Sequence, residues 1–517
     1  MIYFINFGMP DNKSGIEHAE LKRLQLFKRH QEPAKIIARD WNRTLHETAN
    51  ASGVDDDHLL GMFDFFQGTE KVPFKQVKVE DIDFGLENLI YQEENDKNRY
   101  LVNSKDGKLV ARVNYDPNHD KQVVSTELFD EYGNLYRVDH YDSRGFRSLI
   151  QWYTPDNKIG NEEWLTLDNQ VVVRTFNKFD IHHKLVKTGW WLKEPNGQIH
   201  TFDTMDELFE HFLNILNQKG KNIFVLDRAN LADAALTRLK RPAYTVMHLH
   251  NSQAGDAQDP MHSIVNNNYE YALANLDEYS AVVSATQRQT DDVIARFKPK
   301  AKMFTIPVGV VADETLNEAR VSVDQRTYGK VIAVARIAHE KHLDDLVRAI
   351  RIVHDQVPEV TLDLYGYADS SNNYAEKKKV EKVISDLKLD DVVKFKGYST
   401  DIANIERKAE IFGLTSRMEG FNLAILEAIS HGVIGVTYDV NYGPNDIVQD
   451  GKNGYIVDYG DYKDLAKRMI EIFKDKDLMQ KLSSQAYDSS ERYSEENVWQ
   501  AWKSLIDDAN ETLKEEA

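Results

Sequence analysis

The 517-residue sequence contains no cysteine, which excludes disulfides, thiolate zinc sites and cysteine nucleophiles. No apolar run reaches the length needed to span a bilayer. Basic residues are also few, because 64 lysines and arginines stand against 84 acids and give a net charge of −20. A general nucleic-acid binder needs a broad basic face, so that class is disfavoured, and any anionic ligand must meet a local basic site.

The first ten residues (MIYFINFGMP) lack a basic leader and pass from an apolar run to loop residues. This pattern predicts a strand and not a signal peptide. Together with a hydrophobic content of 41%, it leads us to expect a soluble cytoplasmic protein, at most peripheral at the inner face of the membrane. At roughly 150 residues per domain, the length predicts about three domains.

Strands and helices alternate in two parts of the chain. Ile2 to Phe7 predicts a strand, and Ser14-Gly15-Ile16-Glu17 is a capping box that predicts the start of a helix. The alternation returns from Phe202 and becomes denser after Gly329. Continuous apolar strands separated by helices are typical of buried parallel sheets. We therefore expect an α/β protein with two Rossmann-like domains facing a cleft, where a nucleotide would bind.

The segment between the two parts has a different pattern. From about residue 67 to 205, clusters of turn residues recur mostly a dozen residues apart, as in Glu131-Tyr132-Gly133-Asn134 and Pro155-Asp156-Asn157. The stretches between them are rich in β-branched and aromatic residues, which predicts a large antiparallel β-meander inserted into the N-terminal domain. A spacer and a platform for acceptor binding or oligomerisation are both compatible with it.

These patterns predict five segments. They are the first part of an N-terminal Rossmann-like domain (1–66), the β-meander insert (67–205), the second part of that domain (206–316), a C-terminal Rossmann-like nucleotide domain (317–494) and a C-terminal helix (495–517) that either caps the chain or packs back on the first domain.

Two common nucleotide motifs are missing from the sequence. The loop after the first strand, Gly8 to Gly15, does not match G-x-G-x-x-G, and no Walker motif occurs, which weighs against a hydride-transfer enzyme and a P-loop NTPase. Asp81-Ile82-Asp83 matches an Asp-x-Asp metal pattern, but it lies near the insert and we interpret it as solvated acid.

A group of charged residues follows the first strand of the C-terminal domain. Strand Val331 to Ala335 ends at Arg336, and we expect Glu340 and Lys341 in the first turn of the next helix. A guanidinium and an ammonium beside a helix N-terminus can neutralise a diphosphate leaving group. An ordinary solvated turn has the same residue types, so the pattern alone leaves both interpretations open.

Two glutamates are spaced eight residues apart in Glu419-Gly420-Phe421-Asn422-Leu423-Ala424-Ile425-Leu426-Glu427. Glu419 is predicted in a loop after a strand and Glu427 inside a largely buried helix, where a carboxylate needs partners. Gly420 would let the backbone approach a ligand closely, and the amides of Phe421 and Asn422 would bind sugar hydroxyls or phosphate oxygens at the helix start.

This string, preceded by the Arg336, Glu340 and Lys341 element, resembles the E-x7-E signature of retaining GT-B glycosyltransferases, glycosyltransferase family four. With the opening N-F-G-M-P-D-N-K-S-G and the β insert, it resembles in particular the catalytic glycosyltransferases of the accessory Sec system, which modify serine-rich repeat adhesins before export. Teichoic-acid α-glycosyltransferases share the insert. The similarity covers most of the chain.

The resemblance implies a role for each matching residue of the C-terminal domain. Glu427 would hold the ribose of a UDP-sugar, Arg336 and Lys341 beside Glu340 would hold its diphosphate, and Glu419 would hold the donor hexose. The amides of Gly420, Phe421 and Asn422 would assist Glu419.

Two residues of the N-terminal domain have implied roles as well. The loop at Gly15 would lie against the phosphates, and a histidine at the end of a strand would contact the donor sugar. That residue is His248 in our interpretation, with the neighbouring His250 as the alternative and a hydrogen-bonded core histidine as the structural explanation.

The activity implied is retaining transfer of glucose or N-acetylglucosamine from a UDP-sugar to Ser or Thr of an adhesin, without a metal or other cofactor. The acceptor would attack the face that UDP leaves, and a departing phosphate oxygen would take its proton. A teichoic-acid polyol is the alternative acceptor. A second alternative is that the chain is not an enzyme but a non-catalytic, adhesin-binding chaperone subunit. The resemblance also implies that an enzyme of this kind would have such a subunit as its partner, bound through the insert.

Overall fold

The computed structural model describes residues 1–218, 221–240 and 242–515. Residues 219, 220 and 241 of the predicted second part of the N-terminal domain lie outside the described residues, as do 516 and 517 of the predicted C-terminal helix. The strands are β1 Ile2–Asn6, β2 Ala34–Ala38, β3 Leu59–Gly61, β4 Ile90–Glu94, β5 Arg99–Asn103, β6 Leu109–Asp116, β7 Gln122–Phe129, β8 Leu135–Tyr141, β9 Arg147–Tyr153, β10 Ile159–Leu165, β11 Val171–Phe179, β12 Leu185–Lys193, β13 Ile199–Phe202, β14 Ile223–Leu226, β15 Tyr244–His248, β16 Ala281–Ser284, β17 Lys302–Thr305, β18 Lys330–Val334, β19 Thr361–Tyr365, β20 Val393–Gly397, β21 Ile411–Leu414, β22 Ile434–Tyr438 and β23 Gly454–Val457.

Helices of very different length separate the strands. They are α1 Gly15–Arg29, α2 Leu45–Ala51, α3 Met62–Gln67, α4 Met205–Asn217, α5 Asp233–Thr237, α6 Glu270–Ala274, α7 Gln287–Phe297, α8 Asp313–Leu316, α9 Leu343–His354, α10 Ser371–Asp386, α11 Ile402–Glu406, α12 Leu423–Ser430, α13 Pro444–Ile447, α14 Tyr462–Lys474, α15 Lys476–Ser490 and α16 Glu495–Glu515.

Helix α1 begins where the capping box predicts. The amide of Ile16 donates to Ser14 Oγ at 3.3 Å, and the amide of Ser14 donates to Glu17 Oε2 at 2.8 Å. The box satisfies two amides that the first helical turn leaves without partners. Further along, Leu24 and Phe27 are buried, so α1 is fixed by both its start and its apolar face.

The chain divides into two compact units. The first contains residues 1–13 and 33–243, and the second contains Ser14–Glu32 and the described residues from Tyr244 onward. In the first unit, β14, β1, β2 and β3 are adjacent and parallel in that order. The same unit contains a ten-stranded antiparallel sheet, in which β4 to β13 are adjacent in sequence order. The predicted antiparallel meander is confirmed.

The antiparallel sheet is built from a repeated hairpin. In one copy the amide of Asp130 donates to Asn134 O at 3.0 Å and the amide of Gly133 donates to Asp130 O at 3.0 Å. This is a three-residue loop, whose third residue needs a positive φ and is therefore often Gly or Asn. The residues with positive φ at that place are Gly107, Gly133, Gly145, Asn157, Asn169, His183 and Gly197. Their spacing explains the turn period of about a dozen residues.

Helix α3 packs against the antiparallel sheet. Phe63 lies 4.6 Å from Trp164 between ring centroids, and Gln67 donates to the Leu165 carbonyl at 2.6 Å. The guanidinium of Arg144 reaches Asp64 of α3 at 2.6 Å, and both side chains are nearly buried. A broken buried ion pair costs several kcal/mol because it leaves an uncompensated charge, so this contact fixes the sheet on α3 firmly.

In the second unit, β15, β16 and β17 are adjacent and parallel in that order. The same unit contains a six-stranded sheet in the order β20, β19, β18, β21, β22, β23, all parallel. Strand β18, Lys330–Val334, lies one residue before the predicted Val331 to Ala335. The apolar side chains of α9, α12, α14 and α15 cover this sheet, so its faces are buried as the continuous apolar runs predict.

Helix α16 packs on α1 and on the strand β15. Trp499 and Trp502 meet Phe27 edge to face, with ring centroids 5.4 and 5.6 Å away. The hydroxyl of Tyr244 donates to Asp508 at 2.5 Å. The last helix therefore stabilises the N-terminal helix, although almost the whole sequence separates them.

Asp81 and Asp83, the Asp-x-Asp pair of the sequence, are both exposed. Asp81 accepts from the Lys78 amide at 2.8 Å and Asp83 from the Gly85 amide at 2.8 Å. Each carboxylate thus stabilises its own turn. Among the described residues, we find no helix that is both long and apolar enough to traverse a lipid bilayer.

Two glycines at the same place of the hairpin repeat give a matched test of how the sheet packs. A Cβ on Gly145 (φ +93°) would lie 1.8 Å from the Lys75 carbonyl oxygen, whereas a Cβ on Gly133 (φ +81°) meets nothing within 4 Å. We expect Gly133→Ala to cost about 1 kcal/mol through the backbone alone and Gly145→Ala about 1–3 kcal/mol more through the clash. The measurement is the thermal unfolding of both variants, and equal shifts in Tm would contradict the packing of this hairpin.

Candidate active site

The loops that follow β18 and β21 meet at the carboxyl edge of the six-stranded sheet. The two strands are neighbours, and the amide of Arg417 donates to the Glu340 carbonyl at 2.8 Å. Thr415 Oγ1 donates to the His342 carbonyl at 2.9 Å. Ligands of open α/β sheets bind at this edge, so the two loops that carry the predicted charged residues form the candidate site.

The predicted placement of Glu340 and Lys341 is wrong in one respect. They lie in a short 3-10 turn, His339–Lys341, and α9 begins only at Leu343. His342 separates the 3-10 turn from α9. Its φ is +48°, so a right-handed helix cannot continue through this residue. Lys341 is therefore carried by a turn and not by the first turn of α9.

Lys341 and Glu419 form the central contact of the site. Lys341 Nζ donates to Glu419 Oε1 at 2.7 Å, and Ser416 Oγ donates to the same oxygen at 2.6 Å. The lysine side chain is 18% exposed and that of the glutamate 8%. The backbone of Glu419 is also held, because its amide donates to Asn441 O at 3.1 Å. Charge-assisted bonds in a nearly dry place are strong, so both groups are held in position before any ligand binds.

Arg336 is the more accessible cation of the site. Its side chain is 43% exposed and bonds to Asp369 at 3.1 Å and to Glu340. Unlike Lys341, this guanidinium is shared by two partly exposed carboxylates. A diphosphate that approaches from solvent can compete for it, since exposed ion pairs contribute little.

Glu427 is not buried, contrary to the prediction. Its side chain is 40% exposed and accepts from Lys22 Nζ of α1 at 2.5 Å. Buried neighbours on α12 include Ile425, Leu426 and Ala428. Successive helical residues are about 100° apart, so an apolar stretch of this length still leaves one face outside, and Glu427 lies on that face.

The three residues after Glu419 serve mainly the fold. A Cβ on Gly420 would lie 2.0 Å from the His250 carbonyl oxygen. The close approach that requires this glycine is therefore to the loop at His250, whereas the sequence led us to expect an approach to a ligand. Phe421 is buried against Tyr493, with ring centroids 5.5 Å apart. Asn422 caps α12, since its Oδ1 accepts from the Ile425 amide at 3.0 Å.

The close contact between Gly420 and the backbone of His250 brings His250 and the neighbouring His248 next to the loop that follows β21. His248, the last residue of β15, is buried, and its Nδ1 lies 3.1 Å from Arg23 Nη1. The ring of His250 is 4.1 Å from that of His248 between centroids and is only half-buried. Of the two candidate histidines, His250 is the more accessible to a ligand, while His248 is packed among Arg23 and Trp502.

Helix α1 brings two further residues to the site that the sequence analysis missed. Lys22 meets Glu427 and Arg23 meets His248, from adjacent positions of one helix. The sequence contains a sign of this role, because the charged residues Glu20 and Arg23 lie on the buried face of α1 beside Ala19. A charged residue at a buried position of an amphipathic helix indicates that it has a partner. At the other end of α1, Gly15 is exposed and a Cβ there meets nothing within 4 Å, while the Glu17 carboxylate of the capping box lies in the same first turn.

Glu406 and His431 form a buried pair at the C-terminal end of α12. Burial raises the pKa of the Glu406 carboxyl to about 7, although His431 Nδ1 lies 2.7 Å from its Oε2. Glu406 Oε1 has no hydrogen-bond partner within the described part of the chain, which also favours the neutral acid. Nearby Glu427 raises this pKa further and Lys22 lowers it. The negative charge of Glu427 therefore acts on a titratable group inside the fold.

Parallel sheets with helices on their faces, and two carboxylates paired with lysines at a sheet edge, define a glycosyltransferase of the GT-B fold with a large antiparallel insert. Residues 317–489 match the family model described as "Glycosyl transferases group 1". This domain contains Arg336, Lys341, Glu419 and Glu427.

Full-length relatives agree with this class. The chain is 26% identical to the "UDP-N-acetylglucosamine--peptide N-acetylglucosaminyltransferase GtfA subunit" of Streptococcus gordonii, covering 98% of both chains. It is also 26% identical to the "Poly(glycerol-phosphate) alpha-glucosyltransferase" of Bacillus subtilis, covering 97% of this chain and 74% of the relative. The crystal structure of the pneumococcal O-GlcNAc transferase GtfA in complex with UDP and GlcNAc has the same fold, with a TM-score of 0.81, 21% identity and 98% coverage of both chains.

Glu406 predicts how stability depends on pH. The folded chain holds this proton up to about pH 7 and the unfolded chain only to about pH 4.5, so the contribution of Glu406 to stability falls as the pH rises through that window. Glu406→Gln keeps a partner for His431 and cannot ionise. We expect this variant to gain Tm relative to the parent between about pH 5 and about pH 8.

The exposed Glu381→Gln serves as its control and should show a constant difference from the parent over the same pH range. A Glu406→Gln difference that does not change with pH would contradict the raised pKa.

Proposed function

We propose that the chain transfers glucose or N-acetylglucosamine from a UDP-sugar with retention of anomeric configuration. One observation carries the proposal: Lys341 is held at 2.7 Å from Glu419, the first carboxylate of the pair, at the edge of a parallel sheet. A cation beside a sugar-binding carboxylate suits a donor whose hexose is joined to a diphosphate. The names of the relatives with full coverage support the UDP-sugar.

The charges of the site suggest how the leaving group is stabilised. Lys341 and Arg336 supply positive charge where the diphosphate forms, and the exposed Gly15 at the start of α1 leaves room for the phosphates. Glu419 accepts hydrogen bonds from the hexose, and Glu427 accepts them from the ribose diol, for which its exposed face leaves room. In this proposal a phosphate oxygen of the departing UDP takes the acceptor proton, so no carboxylate acts as the base.

The same residues suggest that no metal or other cofactor is needed for transfer. The cations Lys341 and Arg336 carry the charge that a divalent ion would otherwise neutralise. Asp81 and Asp83 bond to their own turns, so their pattern gives no support for a metal-dependent donor site.

For the acceptor we favour Ser or Thr of a serine-rich repeat adhesin. The sequence resemblance and the peptide-modifying relative support it. A teichoic-acid polyol is the second candidate, because the poly(glycerol-phosphate) enzyme is equally identical to this chain. We also propose a partner subunit of the GtfB type, the non-catalytic, adhesin-binding kind that the sequence resemblance implies, bound through the antiparallel sheet. The description of the Streptococcus gordonii relative as a subunit supports a partner. We place the reaction in the cytoplasm, at most peripheral to the membrane.

The first experiment offers UDP-glucose and UDP-N-acetylglucosamine separately, with a Ser/Thr-rich peptide, poly(glycerol phosphate) or poly(ribitol phosphate) as acceptor. Release of UDP and sugar incorporation are measured, and NMR gives the anomeric configuration of the product. We expect transfer to the peptide with an α-linked product. Transfer only to a polyol would select the second acceptor, and tight peptide binding without UDP release would favour a non-catalytic subunit.

Lys341→Met tests the cation. Loss of one preorganised charge donor should lower kcat by about two or more orders of magnitude, because leaving-group charge develops mainly in the transition state. Lys382→Met, which removes an exposed lysine that pairs with Asp386 of the same helix, should leave kcat unchanged. Unchanged turnover in Lys341→Met would remove this residue from the donor site.

Lys22→Met tests the contact between α1 and Glu427. Half-exposed ion pairs contribute up to about 1 kcal/mol, so KM for the donor should rise less than about five-fold with little change in kcat. Glu427→Ala removes the ribose acceptor itself and should raise KM by about ten-fold or more. Lys22→Arg keeps the positive charge and should have the same KM for the donor as the parent. Equal effects of Lys22→Met and Glu427→Ala would mean that the lysine itself binds the donor.

Excess EDTA tests the absence of a metal in the reaction. We expect the initial rate to persist after chelation and not to rise on addition of Mn²⁺ or Mg²⁺. A rate that disappears with EDTA and returns with Mn²⁺ would contradict the proposed charge balance.

A further inference from the structure

Three potential metal ligands converge in the first unit, at residues that the proposed transfer reaction does not use. Glu194 opens the turn between β12 and β13, His200 lies in β13, and His211 lies in α4. Glu194 Oε1, His200 Nε2 and His211 Nε2 all lie within 4.8 Å of one another. The three residues come from a turn, a strand and a helix, so tertiary structure and not local sequence brings them together.

Two distances from the carboxylate are close to the edges of a coordination polyhedron. Glu194 Oε1 lies 3.2 Å from His200 Nε2 and forms a hydrogen bond of 2.9 Å with His211 Nε2. In a tetrahedral zinc site with bonds of about 2.0–2.1 Å, neighbouring ligand atoms are about 3.3 Å apart. His200 Nε2 is buried yet makes no hydrogen bond of ordinary geometry to any described residue, so its ring nitrogen is available to a cation.

The surroundings hold the three ligands in place. Asn196 Nδ2 donates to Glu194 Oε2 at 3.2 Å, which orients the carboxylate and leaves Oε1 toward the histidines. The ring of Phe202 lies 6.2 Å from that of His200 and 5.2 Å from that of His211 between centroids. The ligand side chains are 17–23% exposed, so an ion can enter from solvent while most of its surroundings are protein.

We propose that Glu194, His200 and His211 bind one Zn²⁺, with a fourth position open to water. Two imidazoles and one carboxylate suit zinc and not Mg²⁺ or Ca²⁺, which prefer oxygen ligands. The ion would join β13, the edge strand of the antiparallel sheet, to α4. Its function would be to stabilise the point where the chain leaves the antiparallel sheet.

The test uses the full chain, treated with EDTA, then dialysed and carrying no affinity tag. Zn²⁺ is titrated by calorimetry, and Co²⁺ is added separately because tetrahedral Co²⁺ gives intense visible absorption. We expect one saturable zinc ion per chain at this site, a rise in Tm with zinc and a tetrahedral Co²⁺ spectrum.

Variants locate the ion. The double variant His200→Gln/His211→Gln should lose one zinc equivalent, the Co²⁺ spectrum and the zinc-dependent rise in Tm. Asn196→Ala should keep the stoichiometry and weaken zinc binding by about ten-fold, since it removes only the group that orients Glu194. His182→Gln/His183→Gln, in the neighbouring hairpin, is the matched control and should bind zinc like the parent.

Three results would overturn the proposal. They are the absence of saturable zinc binding by the parent, the same stoichiometry in His200→Gln/His211→Gln, or an octahedral Co²⁺ spectrum. In each of those cases Glu194 serves only as a hydrogen-bond acceptor for the histidines. Circular dichroism of the double variant separates a lost ligand set from a lost fold.

Discussion

The salt bridge between Lys341 and Glu419 is the interaction on which the site depends. It joins the loop after β18 to the loop after β21, and each side chain compensates part of the cost of burying the other's charge. The Arg417 amide and the Thr415 hydroxyl fasten the same two loops to each other. The ammonium and the carboxylate are consequently held in position before a ligand arrives, so binding does not require them to be ordered first.

Helix α1 extends this constraint to a segment distant in sequence. Lys22 reaches Glu427 and Arg23 reaches His248, while α16 packs its tryptophans against the same helix. The Glu427 carboxylate and the buried His248 thus both contact one helix, and that helix is itself held by the last helix of the chain. Destabilising α16 is expected to act on the site through α1, although α16 contributes no charged group to it.

The antiparallel sheet follows a different principle. Its hairpins repeat one turn, so its architecture is local, and its attachment is decided by a few buried contacts such as Arg144 with Asp64. Gly133 and Gly145 look alike in sequence, yet only Gly145 lies against another backbone. The three proposed zinc ligands show the same division, since Glu194 lies in a local turn whereas His211 approaches from α4.

The sequence by itself determined what repeats or is local: the capping box of α1, the apolar parallel strands, the turn period of the antiparallel sheet and the presence of two glutamates eight residues apart. Only the tertiary structure decided which groups are paired or buried. In the folded chain Glu427 is partly exposed and His248 is buried. Gly420 packs against the backbone of His250, and Lys22 of α1 pairs with Glu427. Periodicity and turn chemistry act over a few residues, whereas burial and ion pairing depend on segments that meet only after folding.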